Sequence, residues 1–270
     1  MTVPRTSVCV SPATAATTRR ARSIVAALTC AALAVARAHA QDLEPRAYSA
    51  SPVGLNFLVI GYGWSAGSVV VDPTLPISDV PAAVQGPTIG IGHTFNVFGD
   101  LGLVTAAFPY SLADVTGKVF EQGAEAKRSG LADTRIKLSI NLLGNPAMSP
   151  SEFTTAPHCV IAGLSVSVIA PTGQYDDTKL INLGNNRWAF KAETGVSLPK
   201  GPWDLDTYVG SWFFTPNRDF YPGGSTRTEE PVLTIQGHAS YEFRPRLWVA
   251  IDGTSYRGGS TRVDQRDPQA

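Results

Sequence analysis

From Ala132 to Leu142 every second residue is apolar or small: Ala132, Thr134, Ile136, Leu138, Ile140 and Leu142. The residues between them are Asp133, Arg135, Lys137, Ser139 and Asn141. A period of two marks a β-strand with one apolar and one polar face. The pattern recurs in RWAFKAETGVSL (187–198), VLTIQGHASYEF (232–243) and LWVAIDGTSY (247–256). It predicts nine strands, at about 53–65, 88–98, 101–112, 131–142, 159–171, 187–198, 203–215, 231–243 and 247–257. The first and third alternate poorly, and no helical period is convincing after residue 40.

Long connections alternate with short ones, the latter at Gly99-Asp100, Pro199-Lys200-Gly201-Pro202 and Arg244-Pro245-Arg246. The connection 143–158 breaks this scheme by being long. Such a chain meanders up and down. A twelve-residue strand at about 3.3 Å per residue, tilted roughly 40°, rises about 30 Å, enough for an apolar band about 25 Å tall. Aromatics fall near strand ends: Trp203, Phe243 and Trp248 by the short turns, and Trp64, Tyr110, Phe213, Phe214 and Tyr256 by the long loops. Two interfacial girdles are expected from them.

Charged residues make up 16% of the chain, against roughly 25% in ordinary soluble domains, and Gly, Ser and Thr recur on the polar faces. A soluble sheet would turn many charges toward water. These faces read instead as the lumen of a closed sheet whose apolar side meets lipid. The fold class expected is an all-β, antiparallel, up-and-down transmembrane β-barrel. A secreted soluble β-sandwich with a binding role is the alternative.

The N-terminus carries Arg19, Arg20 and Arg22, then a thirteen-residue apolar stretch (24–36) interrupted by Thr29, then Ala38-His39-Ala40 before Gln41. This order predicts a signal peptide over 1–40, cut between Ala40 and Gln41, and a barrel domain over 41–270. Cleavage removes Cys9 and Cys30 and leaves Cys159, so no disulfide is expected within the mature chain.

The formal net charge of zero gives no sign of a nucleic-acid partner. His93, His158 and His238 have no ligand partners at metal spacing, and Gly61, Gly63 and Gly67 do not form a nucleotide loop. Asp176-Asp177 reads as a solvated turn more readily than a cation site. No catalytic, metal or cofactor residue is assigned, and no cofactor is expected. If 244–246 is a tight turn, His238 falls opposite Asp252 on the polar face, near Ser240 and Thr254. An interior hydrogen-bonded pair is favoured there over a catalytic dyad. The residues expected to line the lumen are Asp133, Arg135, Lys137, Arg187, Lys191, Glu193, Asp204, Asp206, Gln236, His238, Glu242 and Asp252. Both signs of charge occur, which suits a wet pore without strong ion selectivity.

Four stretches carry a resemblance: SPVGLNFLVIGYG (51–63), LADTRIKLSINLLGNPAMSPSEF (131–153), PTGQYDDTKLINLGNNRWAFKAETG (171–195) and YEFRPRLWVAIDGTSYRGGST (241–261). In this order they resemble the family named for the meta-pathway of phenol degradation, over about residues 44–262. The resemblance implies a barrel in the outer membrane of Gram-negative bacteria, acting as a channel or transporter-like protein for small hydrophobic or aromatic compounds. Outer-membrane lipid, the barrel-assembly machinery and a small solute are the partners implied. The family brings no catalytic motif. An outer-membrane hydrolase and a structural or adhesive barrel are the competing functions. Family members continue beyond the GGST segment, whereas this sequence stops at RVDQRDPQA. Nine is an odd strand count, while bacterial single-chain barrels use even numbers. The resemblance implies an incomplete barrel, of about twelve strands when whole.

Overall fold

A computed structural model of the chain describes residues 46–68, 77–78, 81–119, 122–221, 223–244 and 247–264. The signal peptide and its cleavage point at Ala40 and Gln41 lie outside the described residues. In chain order the elements are β1 (Asn56–Ser68), β2 (Ile77–Ser78), β3 (Pro81–Val97), β4 (Asp100–Val119), β5 (Gln122–Leu131), β6 (Thr134–Pro146), α1 (Pro150–Phe153), β7 (Ile161–Ala170), β8 (Ala189–Lys200), β9 (Trp203–Phe214), β10 (Asn217–Phe220), β11 (Ser225–Glu229), β12 (Val232–Arg244), β13 (Leu247–Gly258) and β14 (Thr261–Asp264).

Nine strands make the main path of an eleven-stranded antiparallel sheet, in the order β1-β3-β4-β6-β7-β8-β9-β12-β13, matching the nine segments read from the pattern. The sheet curls through about 260°. Among the described residues, β1 and β13 are its two edges. β5 folds back on the far half of β4, from Tyr110 to Val119, and β2 pairs with the end of β4. A second sheet, β10-β11-β14, lies outside this path.

Alternation sets the two faces. Leu138 is 44% exposed while its neighbour Ser139 is 4% exposed. The same holds for Leu164 against Ser165, Ile235 against Gln236, and Val209 against Tyr208. The convex face is thus apolar and open, and the concave face is polar and covered. An uncovered apolar face of this extent matches the lipid-facing band of a membrane barrel.

Several expected boundaries move. β3 starts at Pro81 and β4 runs to Val119, so the expected loop between the third and fourth segments is largely a β4–β5 hairpin. The alternation of segment 131–142 starts before the strand, which begins at Thr134. The turn near residue 99 is Phe98-Gly99, both at positive φ (52° and 93°), and Asp100 already belongs to β4. Asn96 holds this turn by accepting the Gly99 N–H at 2.8 Å. The long 143–158 connection holds α1, whose Ser149 and Glu152 make a capping box ahead of the helix. The final segment does not end the described strands: Thr261–Asp264 turns back to pair with β11. Cys159 is buried just ahead of β7.

The girdle assignment holds in part. Trp64, Tyr110, Phe213, Trp203 and Phe243 stand exposed on the outer face. Trp248, Phe214 and Tyr256 do not belong with them. Their cross-strand partners are Glu242, Ala189 and Thr234, which share the inner face. The inner rings serve as platforms for guanidinium groups: Arg46 lies 4.9 Å from the Trp248 ring and Arg187 4.4 Å from the Phe214 ring.

Candidate functional site: the polar inner face and the strap across it

Strand pairing stacks the inner-face residues into rows. One row runs Lys137, Ser167, Lys191, Trp212, and the next runs Ser139, Ser165, Glu193, Gly210, Thr234. Glu193 is the hub between them. It pairs with Lys137 at 3.5 Å, bonds Lys191, and accepts the Gln236 amide at 3.1 Å. The row nearest the short turns contains Ser197, Asp206, His238 and Asp252, with Asp204, Ser240 and Glu242 beyond it. The inner face is therefore graded, with lysines toward the long loops and carboxylates toward the short turns.

A strap formed by residues 46–52 crosses this acidic end. Arg46 Nε donates to Ser240 Oγ at 2.9 Å, its guanidinium faces Glu242 at 3.4 Å and Asp204 at 3.8 Å, and its N–H reaches Asp206 at 3.2 Å. The Ala47 N–H donates to the Tyr208 hydroxyl at 3.0 Å. Tyr48 is 1% exposed. Its hydroxyl shares a hydrogen bond with Ser165 at 3.0 Å, its carbonyl accepts the Asn141 amide at 3.2 Å, and its ring meets Tyr208 edge-on at 5.1 Å. Pro52 then accepts the Thr94 hydroxyl on β3 at 2.8 Å, and the Val53 N–H donates to Met148 at 2.9 Å. The strap thus spans from β12 to β3.

Two glycines make room for it. A Cβ on Gly163 would lie 2.4 Å from the Tyr48 ring, and one on Gly195 would lie 2.3 Å from it. The ring occupies a slot that only glycine permits at these positions. Arg46, Tyr48 and Tyr208 were not singled out in the sequence. The available signal was the pair of glycines on the polar faces of adjacent strands, a gap that some side chain must fill.

The structure places the twelve sequence-selected residues unevenly. Lys137, Lys191, Glu193 and Gln236 form one network, and Asp204, Asp206 and Glu242 surround Arg46. His238 and Asp252 meet at 2.6 Å, as the pairing argument anticipated. The turn is not the one assumed, because Arg244 pairs with Leu247 and a register shift follows before Glu242. His238 Nε2 is buried without a hydrogen bond, and Ser240 Oγ is instead engaged by Arg46. The pair is thus not connected to a nucleophile. Arg135 lies on the inner face but is exposed, beside Thr105, Lys137 and Trp212. Arg187 is buried at the long-loop end and bonds Glu229 at 2.6 Å.

Asp133 differs from the rest. It precedes β6 and pins the long loop 171–188, accepting the Gly173 N–H at 2.9 Å, the Asn185 N–H at 2.8 Å and the Asn185 amide at 3.1 Å. Asp133→Ala strands three donors and is expected to destabilise that loop by about 1–3 kcal/mol. Faster proteolytic cleavage within 171–188, with the barrel intact, is the measurable result; an unchanged rate would contradict it. In the same loop, hydrogen bonds from Lys179 and Thr178 hold the Asp176 carboxyl down at about 2. Its oxygens are occupied by its own turn, and no group of three or more metal-ligand residues occurs among the described residues.

No curated protein matches the sequence. Among solved structures, the fold is similar to the crystal structure of an outer membrane channel from Pseudomonas putida F1, with a TM-score of 0.65 and 21% identity, covering 83% of this chain and 79% of that one. That likeness establishes a shared fold. The sequence itself matches the family described as "Putative MetA-pathway of phenol degradation" over residues 78–269, and the chain belongs to that family.

Proposed function

We propose that the chain forms the wall of an outer-membrane channel, with the polar inner face as its lumen and the strap as an internal closure. The carrying observation is the division of the sheet: a connected set of buried polar groups on the concave face and an uncovered apolar band on the convex one. The fold shared with an outer membrane channel supports the reading, and so does family membership. Export by a cleaved signal peptide, insertion by the barrel-assembly machinery, and contact with outer-membrane lipid belong to the same proposal. Small hydrophobic or aromatic compounds are the solute class, consistent with the family description. A hydrolase is disfavoured by the geometry of His238, whose free nitrogen bonds neither Ser240 nor Thr254.

The test is single-channel recording in planar bilayers with protein purified from outer membranes, checked first for heat-modifiable gel migration. Discrete, reproducible conductance steps are expected from the species in which the β1 and β13 edges are closed, by each other or by another strand. A heat-modifiable protein that inserts and never conducts, with the strap present or removed, would overturn the channel reading.

A further inference from the structure

At the long-loop end of the inner wall, well away from the strap, lies a cavity of about 320 Å³. Its apolar lining comes from Val84 of β3, Ala113 and Val115 of β4, Leu180 and Ile181 of the 171–188 loop, and Phe220 of β10. Val84 and Ala113 are cross-strand partners, so the wall side of the cavity is one continuous apolar face. Its size falls at the lower end of the range for small-molecule sites, about 300–1,000 Å³.

The loop that roofs this space is tied to its surroundings on three sides. The Gln174 N–H donates to the Leu131 carbonyl at 2.9 Å, and Nε of Arg128 on β5 donates to the Ile181 carbonyl at 3.3 Å. Gln174 packs so closely on Gly130 that a Cβ there would overlap its side-chain amide. The Tyr175 hydroxyl donates to the Asp219 carbonyl at 2.8 Å, which joins the loop to β10. The cavity is thus preformed, and an occupant need not order its walls.

The polar groups around it are already committed to one another. The Tyr175 hydroxyl accepts the Asn217 amide at 2.9 Å, and that amide also reaches the Asn185 carbonyl at 3.2 Å. The Asn182 amide donates to the Asp176 and Lys179 carbonyls at 2.9 and 2.7 Å, and its oxygen accepts the Asp176 N–H at 2.9 Å. Arg227, at one edge, faces Glu229 at 3.5 Å and lies 5.5 Å from the Phe220 ring. None of the buried side-chain polar atoms left without a hydrogen bond among the described residues belongs to this lining. A charged ligand would give up its hydration here and compete for groups that are already bonded, whereas an apolar one loses nothing on entry.

We propose that this cavity binds a small uncharged molecule with an apolar body of about one ring, held by Val84, Ala113, Val115, Leu180 and Phe220 and by shape rather than by charge. The inference deepens the channel reading and rests on it for its role, since it places capture of the solute at the long-loop end of the proposed lumen.

The test is isothermal titration of the detergent-solubilised full chain with benzyl alcohol, benzoate and benzylammonium, which share a ring and differ in charge. Partition into micelles does not saturate, so saturable heat reports the site. Benzyl alcohol is expected to bind at least about tenfold more tightly than either ion. Ala113→Trp fills the cavity and should abolish saturable binding. Leu180→Glu places a charge on the half-buried roof, outside the strands, and should weaken benzyl alcohol about tenfold in a chain that remains heat-modifiable. Benzoate or benzylammonium binding as tightly as benzyl alcohol would overturn the proposal. So would saturable benzyl alcohol binding that survives Leu180→Glu, or Ala113→Trp where that variant folds. Conductance without saturable binding counts against this site alone. Saturable binding in a protein that never conducts supports the site and counts against the channel reading.

Discussion

Gly195→Val is expected to expel Tyr48 from its slot and to raise single-channel conductance severalfold. The added Cβ would lie 2.3 Å from the Tyr48 ring and 2.5 Å from the Tyr208 ring. Both rings are buried and pack against each other, so neither can yield by a simple rotation. The strap then loses its deepest anchor. Tyr48→Ala should have the same effect without altering the barrel wall. Removing a fully buried aromatic typically costs about 3–5 kcal/mol, more than a short strap can recover from its remaining contacts. Arg46→Ala should do less. Its contacts with Glu242 and Asp204 are 3.4 and 3.8 Å long and partly exposed, a class of ion pair worth about 0–1 kcal/mol. Limited proteolysis at residues 46–49 reports release of the strap independently of conductance. Unchanged conductance in both Gly195→Val and Tyr48→Ala would show that the strap does not close the pore.

Leu138→Arg is expected to cost about 2–4 kcal/mol of folding free energy in a bilayer, because it places a guanidinium on the lipid face near mid-strand. Ile136 and Ile140 belong to the same face and should respond similarly, with smaller costs toward the strand ends. The contrast is Thr105→Glu. Thr105 is directly opposite Lys137 on the inner face, where a carboxylate gains a cationic neighbour. It should fold nearly as well as the parent chain. Ser139 is a poorer control than its place on the polar face suggests, since it lies in the row beneath Tyr48 and a long side chain there must displace the ring. A folding titration in lipid vesicles in which Leu138→Arg is tolerated and Thr105→Glu is not would mean that the two faces are reversed.

Much of this architecture is legible because a sheet's side-chain period is simple. Ile136, Leu138 and Ile140 declare a face, and one correct face fixes the neighbouring strands through pairing. The His238–Asp252 contact followed from that logic even though the adjoining turn was misplaced, since the register shift near Glu242 and Arg244 offset the error. Aromatics were less informative. Trp248 and Phe214 sit near strand ends as girdle residues do, yet face inward to carry Arg46 and Arg187. Distance from a turn does not distinguish the two uses; parity along the strand does. The strap was invisible to period-based reading because RAYSASP has no period, and its structure comes from contacts about 40 to 200 residues away in sequence. The α1 helix is too short for any periodicity, and its only signature was the Ser149…Glu152 cap. Asp133 was taken for a lumen residue because alternation continues through it. Its role is set by three donors, two on residue 185 and one on residue 173, that no local pattern brings near.

The length of β4 has a consequence for where a solute is first met. Its twenty residues rise about 50 Å at the usual tilt, twice the height of the apolar band, so the half beyond Tyr110 stands clear of the hydrocarbon. Ala113 and Val115 lie in that half. The cavity they line therefore opens to water and not to lipid, and whatever fills it is drawn from solution.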